Sequence, residues 1–147
     1  MQLLPNKLYL AMNAAMFIAY NGDVDNPVSG VAIVDYCGLN RRALEPVLQR
    51  LAGEGIIISI KGAKGGYYMP NQDIVTLRDI AEAFIDKAFP DRPEFSGYNS
   101  LLDKELEGSY SLWLERLTKS SFDQLCDRAR DIDNLEPITD TVLHYDI

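Results

Sequence analysis

The hydrophobic pattern of the first third of the chain predicts three helices in succession. The first covers about residues 3–20 and ends at Asn21-Gly22, a pair that tolerates the left-handed backbone of a helix end. The second covers residues 31–36. The third follows Asn40, a residue type that caps helices, and has apolar residues at 44, 47, 48 and 51. Two helices joined by a short turn that contains glycine are typical of a helix-turn-helix, whose second helix enters the major groove of DNA.

A β-hairpin is predicted directly after the third helix. Residues 56–60 are Ile-Ile-Ile-Ser-Ile and residues 67–69 are Tyr-Tyr-Met, both typical of strands. Residues 61–66, Lys-Gly-Ala-Lys-Gly-Gly, separate them; glycines permit positive φ there and two lysines place charge at the tip. This loop lacks the spacing of a Walker phosphate-binding loop and the helix that should follow it. A hairpin after a helix-turn-helix indicates a wing.

The remaining apolar pattern predicts three more helices. Thr76 and Ser100 each stand three residues before an aspartate, and Ser121 three before a glutamine, as in capping boxes. The first of these helices ends before Pro90, and residues 90–99 contain the Pro and Gly of a linker. We therefore expect a mainly α fold with a small β-hairpin, a winged helix-turn-helix followed by C-terminal helices.

Charge is distributed unequally along the chain. The 147 residues carry 14 basic and 22 acidic side chains, a net charge of −8, which by itself argues against a nucleic-acid partner. Residues 1–70, however, hold six basic and five acidic side chains, whereas residues 71–147 hold eight and seventeen. Residues 40–64 alone hold five basic and two acidic side chains. This stretch is therefore the predicted DNA surface.

Side chains on the polar face of the third helix are the candidates for base contacts. At 100° per residue, Arg42 and Gln49 lie opposite the apolar stripe. Arg and Gln form bidentate contacts with guanine and adenine edges, and recognition helices use their N-terminal residues for this. The alternative is that these side chains only solvate a surface. We expect major-groove contacts from Asn40, Arg41, Arg42 and Gln49, and backbone contacts from Lys61 and Lys64.

Features of other protein classes are sparse. No apolar run reaches 18 residues, which argues against a membrane span, and residues 8–20 fit an amphipathic helix better than a secretory signal, so a cytoplasmic location is expected. Cys37, Cys126 and the single His144 form no metal-ligand spacing and no catalytic motif, so neither a metal site nor an enzyme is expected. Both thiols are expected to be structural; a sensing role is the alternative, chiefly for Cys37.

Three successive segments, GLNRRALEPVLQRLAGEGII, IKGAKGGYYM and VTLRDIAEAF, resemble the Rrf2 family of bacterial transcription regulators. The resemblance is clear over residues 3–89 and rests on pattern in the last two helices. It implies a winged helix-turn-helix DNA-binding domain over residues 1–89, and a linker, a long dimerisation helix and a final helix over residues 90–147. Members tend to have several basic residues in the first helix. Only Lys7 is basic in the predicted first helix here, and the resemblance makes it a further expected DNA contact.

The resemblance also implies a homodimer on a palindromic operator. The long helix, near residues 101–118, would pack against its partner through Leu102, Leu106, Trp113 and Leu117. Periodicity alone leaves open that the stripe around Trp113 is core of a single chain. Members that hold an iron-sulfur cluster carry three cysteines before the long helix, whereas residues 90–110 contain none, so neither a cluster nor another cofactor is expected.

The predicted function is that of a sequence-specific DNA-binding transcription regulator, a repressor, whose partners are double-stranded DNA and a second copy of the chain. An effector or a protein co-regulator of unknown identity is a further expected partner. The alternative is a winged-helix protein-interaction module without sequence-specific DNA binding. The acidic total and the single lysine of the first helix are the observations that support it.

Overall fold

The structure, a computed structural model, describes residues 4–85 and 96–135. It is mainly helical with one two-stranded antiparallel hairpin, which confirms the predicted fold class. The predicted linker lies partly, and His144 wholly, outside the described residues. No helix within the described ranges is long and apolar enough to span a bilayer. In chain order the elements are α1 (Asn6–Asn21), α2 (Gly30–Cys37), α3 (Arg41–Gly53), β1 (Ile58–Ile60), β2 (Gly66–Tyr68), α4 (Leu77–Phe84), α5 (Asn99–Leu117) and α6 (Phe122–Leu135).

Helix α1 is the centre of the fold. It begins after Pro5, and its buried side is mostly alanine, with Leu8 and Ile18 as the large side chains. It contacts α2, α3, α4, α6 and β2. Alanine ends at Cβ, so the backbones of neighbouring helices can approach closely along this side.

The helix-turn-helix is built from local hydrogen bonds, of which the sequence predicts the cap at Asn40. The Ser29 hydroxyl accepts from the backbone N–H of Ala32 at 3.2 Å and begins α2. Gly38 ends α2 with φ of 65°, in the left-handed region that glycine adopts without strain. The Asn40 side chain accepts from the N–H of Ala43 at 2.8 Å, which confirms the predicted cap of α3.

The first strand of the wing is shorter than the sequence predicts, and the second, predicted over residues 67–69, lies one residue earlier, at Gly66–Tyr68. Ile56 and Ile57 are buried, and their N–H groups both donate to the carbonyl of Leu51, at 3.0 and 3.4 Å, so they close the end of α3. Strand β1 therefore begins only at Ile58, which pairs with Tyr68. The prediction of a strand over residues 56–60 was wrong in its first two residues.

The wing is also tied to the segment before α2. Val28 and Tyr67 exchange two backbone hydrogen bonds, each of 2.8 Å. This short bridge lies beside the hairpin, next to the residue that caps α2. The position of the wing is thereby coupled to that of the helix-turn-helix.

The second half packs on the same core. Thr76 donates its N–H to the Asp79 carboxylate at 2.8 Å, and Ser121 donates its N–H to Gln124 at 3.1 Å, so these two predicted helix starts are confirmed. Ser100 is not a cap, because it lies inside α5 and its hydroxyl donates to the carbonyl of Gly97 at 2.7 Å. Leu114 of α5 and Phe122 of α6 join the buried cluster around α1. The predicted domain division at residue 89 stays a prediction.

Gly66 is the position at which the bridge between Val28 and the wing leaves no room for a side chain. A Cβ there would lie 2.3 Å from the Val28 carbonyl oxygen, so Gly66→Ala must push the wing away from the segment before α2. We expect the free energy of unfolding to fall by about 1–3 kcal/mol, measured by urea unfolding followed by circular dichroism.

Gly53→Ala is the matched control, because a Cβ at Gly53, the last residue of α3, meets nothing within 4 Å. It is expected to leave stability unchanged or to raise it by up to about 1 kcal/mol. Equal stabilities for the Gly66→Ala and wild-type proteins would contradict the steric role of this bridge.

Candidate nucleic-acid interface

The polar face of α3 carries the predicted base-contacting side chains. Leu44, Val47, Leu48 and Leu51 are buried, whereas Arg41, Arg42 and Gln49 are exposed. Within the described part of the chain, these three exposed side chains have no hydrogen bond or ion pair that would occupy their donors. Their donors are therefore available to a ligand outside the chain.

Asn40 has two roles that compete for one side chain. Its Oδ1 already accepts from the N–H of Ala43, and this bond fixes the orientation of the amide, although one lone pair and both amide N–H groups remain for a partner. Bidentate recognition of adenine needs both a donor and an acceptor. Because the cap fixes the orientation of the Asn40 amide, the unoccupied side chain of Gln49 is freer to adopt the geometry of a bidentate contact.

Arg50 belongs to the basic stretch of the sequence, but its side chain is engaged in contacts within the chain. Its guanidinium lies over the ring of Phe84 in α4, 5.3 Å from the centroid. Such a stacked cation holds α3 against α4. The exposed basic side chains of α3 that remain for DNA are Arg41 and Arg42.

The wing tip presents the two predicted lysines. Lys61 and Lys64 are exposed on a tight turn in which Gly65 donates its N–H to the carbonyl of Gly62 at 3.0 Å. Gly62 has φ of 115°, and a Cβ at Gly65 would lie 2.2 Å from the Ile60 carbonyl oxygen. The turn thus requires both glycines, which explains their density in the sequence.

The structure brings the wing and the first turn of α3 together. A cleft of about 40 Å³ is lined by Gly30 of α2, Arg41 of α3 and Tyr67 of β2. Lys7 lies elsewhere, in the first turn of α1, where it lines a groove with Tyr36 and Leu39 at the turn between α2 and α3. The base of the wing and the start of α1 therefore both lie against the helix-turn-helix.

The predicted dimerisation residues fall into two groups. Leu102 and Leu106 have exposed fractions of 63% and 55%, whereas Trp113 and Leu117 are half-buried against the chain's own core. Trp113 and Leu117 therefore belong in part to the core of the single chain, whereas the role of Leu102 and Leu106 in a dimer stays a prediction. Leu101 and Leu112 are also exposed, and sequence reasoning missed them because it took a narrower apolar face.

The two cysteines lie on different helices, Cys37 in α2 and Cys126 in α6. Cys126 is fully buried, Cys37 is half-buried, and burial raises the pKa of both thiols, which disfavours the thiolate that binds metals. No three His, Cys, Asp or Glu residues in the described ranges could hold a metal ion. Clusters are held by several cysteine thiolates, and the chain has two cysteines in all.

A winged helix-turn-helix followed by a long helix with an exposed apolar face defines a class of transcription regulators. A family model described as Rrf2, iron-dependent transcriptional regulator, matches residues 4–128. The chain therefore belongs to the Rrf2 family. No curated protein sequence matches it.

Solved structures share this fold at low sequence identity. IscR of T. potens has a TM-score of 0.70 at 19% identity, over 97% of this chain and 96% of that one. CymR of B. subtilis, a global cysteine regulator, has a TM-score of 0.68 at 20% identity, over 87% and 98%. The oxidised form of S. aureus CymR has a TM-score of 0.66 at 18% identity, over 86% and 96%. These likenesses confirm the winged-helix fold.

Proposed function

We propose that this protein is a sequence-specific DNA-binding regulator that acts as a homodimer on a palindromic operator and represses transcription. The observation that carries the proposal is the set of exposed, unoccupied side chains on α3, Arg41, Arg42 and Gln49, beside a wing with two lysines at its tip. Such a protein works where the chromosome is, in the cytoplasm, and is not an enzyme. Repression requires only that the bound dimer covers promoter DNA.

The two basic regions have different tasks in this proposal. Arg42 and Gln49 carry the planar donor groups that distinguish guanine and adenine in the major groove. Lys61 and Lys64, on a compact turn, supply point charges that suit phosphates. The bridge between Val28 and Tyr67 keeps these two regions at one spacing, so a bound wing fixes where α3 meets the base pairs.

Selection of bound fragments from random DNA at low salt defines the operator, and two variants then separate the tasks. Arg42→Ala is expected to reduce the free energy of binding to the operator by about 1–3 kcal/mol and to relax specificity at one base pair, because it removes a base contact. Lys64→Ala is expected to lower the affinity for operator DNA and for random DNA by the same factor, because it removes a phosphate contact. Fluorescence anisotropy measures both affinities.

Lys104→Ala is the matched control for Lys64, since Lys104 is an exposed lysine of α5, away from α3 and the wing. It should leave DNA affinity unchanged. Equal losses on operator and random DNA for Arg42→Ala would remove Arg42 from base recognition. If no fragment binds better than bulk DNA, the chain is a winged-helix protein-interaction module instead.

The exposed leucines of α5 support the homodimer. Leu101, Leu102, Leu106 and Leu112 lie within about 140° of arc at 100° per residue, and each has an exposed fraction above one half. Exposed Glu105 and Arg116 lie within the same arc, so the face combines apolar side chains with charges, as interaction surfaces with polar borders do. A second copy related by a two-fold axis would bury the same face on both helices and would place two α3 helices on the two halves of a palindrome.

Leu106→Glu tests this interface. The change places a charge in the proposed contact, and two-fold symmetry places one such charge on each of the two helices. We therefore expect the dimer dissociation constant to rise at least about hundredfold. Sedimentation velocity over a concentration series measures it. Ser111→Glu, an exposed change on the other side of α5, should leave the dimer intact. A Leu106→Glu protein that dimerises like the wild type would contradict the proposed interface.

We further propose that the protein works without an iron-sulfur cluster, because two separate, buried or half-buried thiols do not supply the ligands. Protein purified without oxygen from iron-fed cells is expected to be colourless and to contain substoichiometric iron. The measurements are visible absorption and iron analysis. A brown protein whose visible bands disappear in Cys37→Ala would overturn this proposal.

A further inference from the structure

A cavity of about 590 Å³ lies between α1, α2 and α6. Its volume is within the range of small-molecule sites, roughly 300–1,000 Å³. It lies apart from the exposed face of α3 and from the wing tip, whose residues do not line it. Its walls combine apolar and aromatic side chains with a few polar groups, the composition typical of ligand pockets.

Aromatic rings form much of the wall. Phe17 of α1 and Tyr36 of α2 are stacked with ring centroids 4.3 Å apart and an interplanar angle of 20°. Tyr20, one turn after Phe17, lines the same cavity. Aromatic faces carry partial negative charge and attract cations, and flat apolar groups stack against them.

Asp133 of α6 is the charged member of the lining among the described residues. The Tyr20 hydroxyl donates to its Oδ2, and this hydrogen bond raises the pKa of Tyr20. A carboxylate has about four acceptor sites, so Asp133 retains capacity for another donor. The lining therefore attracts a positive group at this end.

The nearest cation of α6 does not neutralise this carboxylate by an ion pair. Arg130 donates to Asp127 at 2.8 Å and does not line the cavity. Its guanidinium lies over the Tyr20 ring at 5.7 Å, an example within the chain of a cation attracted to this aromatic group. A cationic ligand would add to these contacts without displacing an existing salt bridge of Asp133.

We propose that this cavity binds a small amphipathic cation, a protonated amine on a flat apolar body, and that its occupancy regulates DNA binding. The amine donates to Asp133, and the body packs against Phe17 and Tyr36. The ligand site stands on the cavity itself, whereas the regulatory part rests on the proposed function.

The cavity touches the elements that position the DNA contacts. Val28, which lines it, exchanges the two hydrogen bonds with Tyr67 of the wing, and Ser29, which also lines it, caps α2. The opposite wall is α6. A ligand that fits one spacing of α2 and α6 better than another will shift the population of α2 orientations, and the turn at Gly38 passes this shift to α3.

Tryptamine is the probe for the site, and indole-3-propionate, which has the same ring and the opposite charge, is the matched ligand control. Isothermal titration calorimetry is expected to detect tryptamine and to show at least about tenfold weaker binding of the anion. Asp133→Asn is expected to weaken tryptamine binding at least about tenfold. Asp131→Asn, the same change at another exposed position of α6 that does not line the cavity, should leave tryptamine binding unchanged. Circular dichroism checks that both variants are folded.

Ala129→Leu provides a second test from the apolar side. Ala129 lines the cavity, and a leucine there would occupy part of its volume. We expect tryptamine to bind this variant at least about tenfold more weakly, although its charges are unchanged. Wild-type affinity in both Asp133→Asn and Ala129→Leu would place tryptamine elsewhere and would overturn the site.

Operator affinity with and without saturating tryptamine tests the regulatory part. We expect at least about a threefold change for the wild type and none for Asp133→Asn. Tryptamine binding without a change in operator affinity would overturn the regulatory role, and no tryptamine binding would overturn the site. A protein that binds tryptamine but selects no DNA sequence would support the ligand site and contradict the proposed function.

Discussion

The alanine side of α1 is the constraint on which the rest of the structure depends. Ala11, Ala14 and Ala15 are fully buried, and α2, α3, α4 and α6 all contact this one helix. Larger side chains there would separate several helices at once, at a cost of about 1–3 kcal/mol for each overpacked position. The helix-turn-helix and the C-terminal helices therefore share a core, and a change of spacing on one side of α1 is felt on the other.

Sequence reasoning succeeded where the cause of a structure is local. The caps at Asn40, Thr76 and Ser121 depend on residues three positions away, so their patterns predict the helix starts. It failed at Ser100, which has the same pattern inside an earlier-starting helix. It also failed at Ile56, because two β-branched residues that look like strand turn inward and close α3. Burial by distant elements decides these two cases.

The same distinction applies to the candidate sites. Helical phase is local, so exposure of Arg42 and Gln49 follows from the apolar stripe. The removal of Arg50 from the free surface depends on a ring in α4, and the cavity brings together Tyr20 and Asp133, which are 113 positions apart. No spacing rule in one sequence joins residues at that separation, since the packing of α6 on α1 brings them together.

The charge of the chain sets how it can distinguish DNA sequences. With a net charge of −8 and five exposed basic side chains on the proposed surface, a dimer can neutralise about ten phosphates at most. The acidic second half, with seventeen acidic and eight basic residues, repels DNA that approaches elsewhere. In the proposed function, binding to bulk DNA would therefore depend on this small set of side chains. Because these charges act on every DNA sequence alike, discrimination between sequences would have to come from the base contacts proposed for α3.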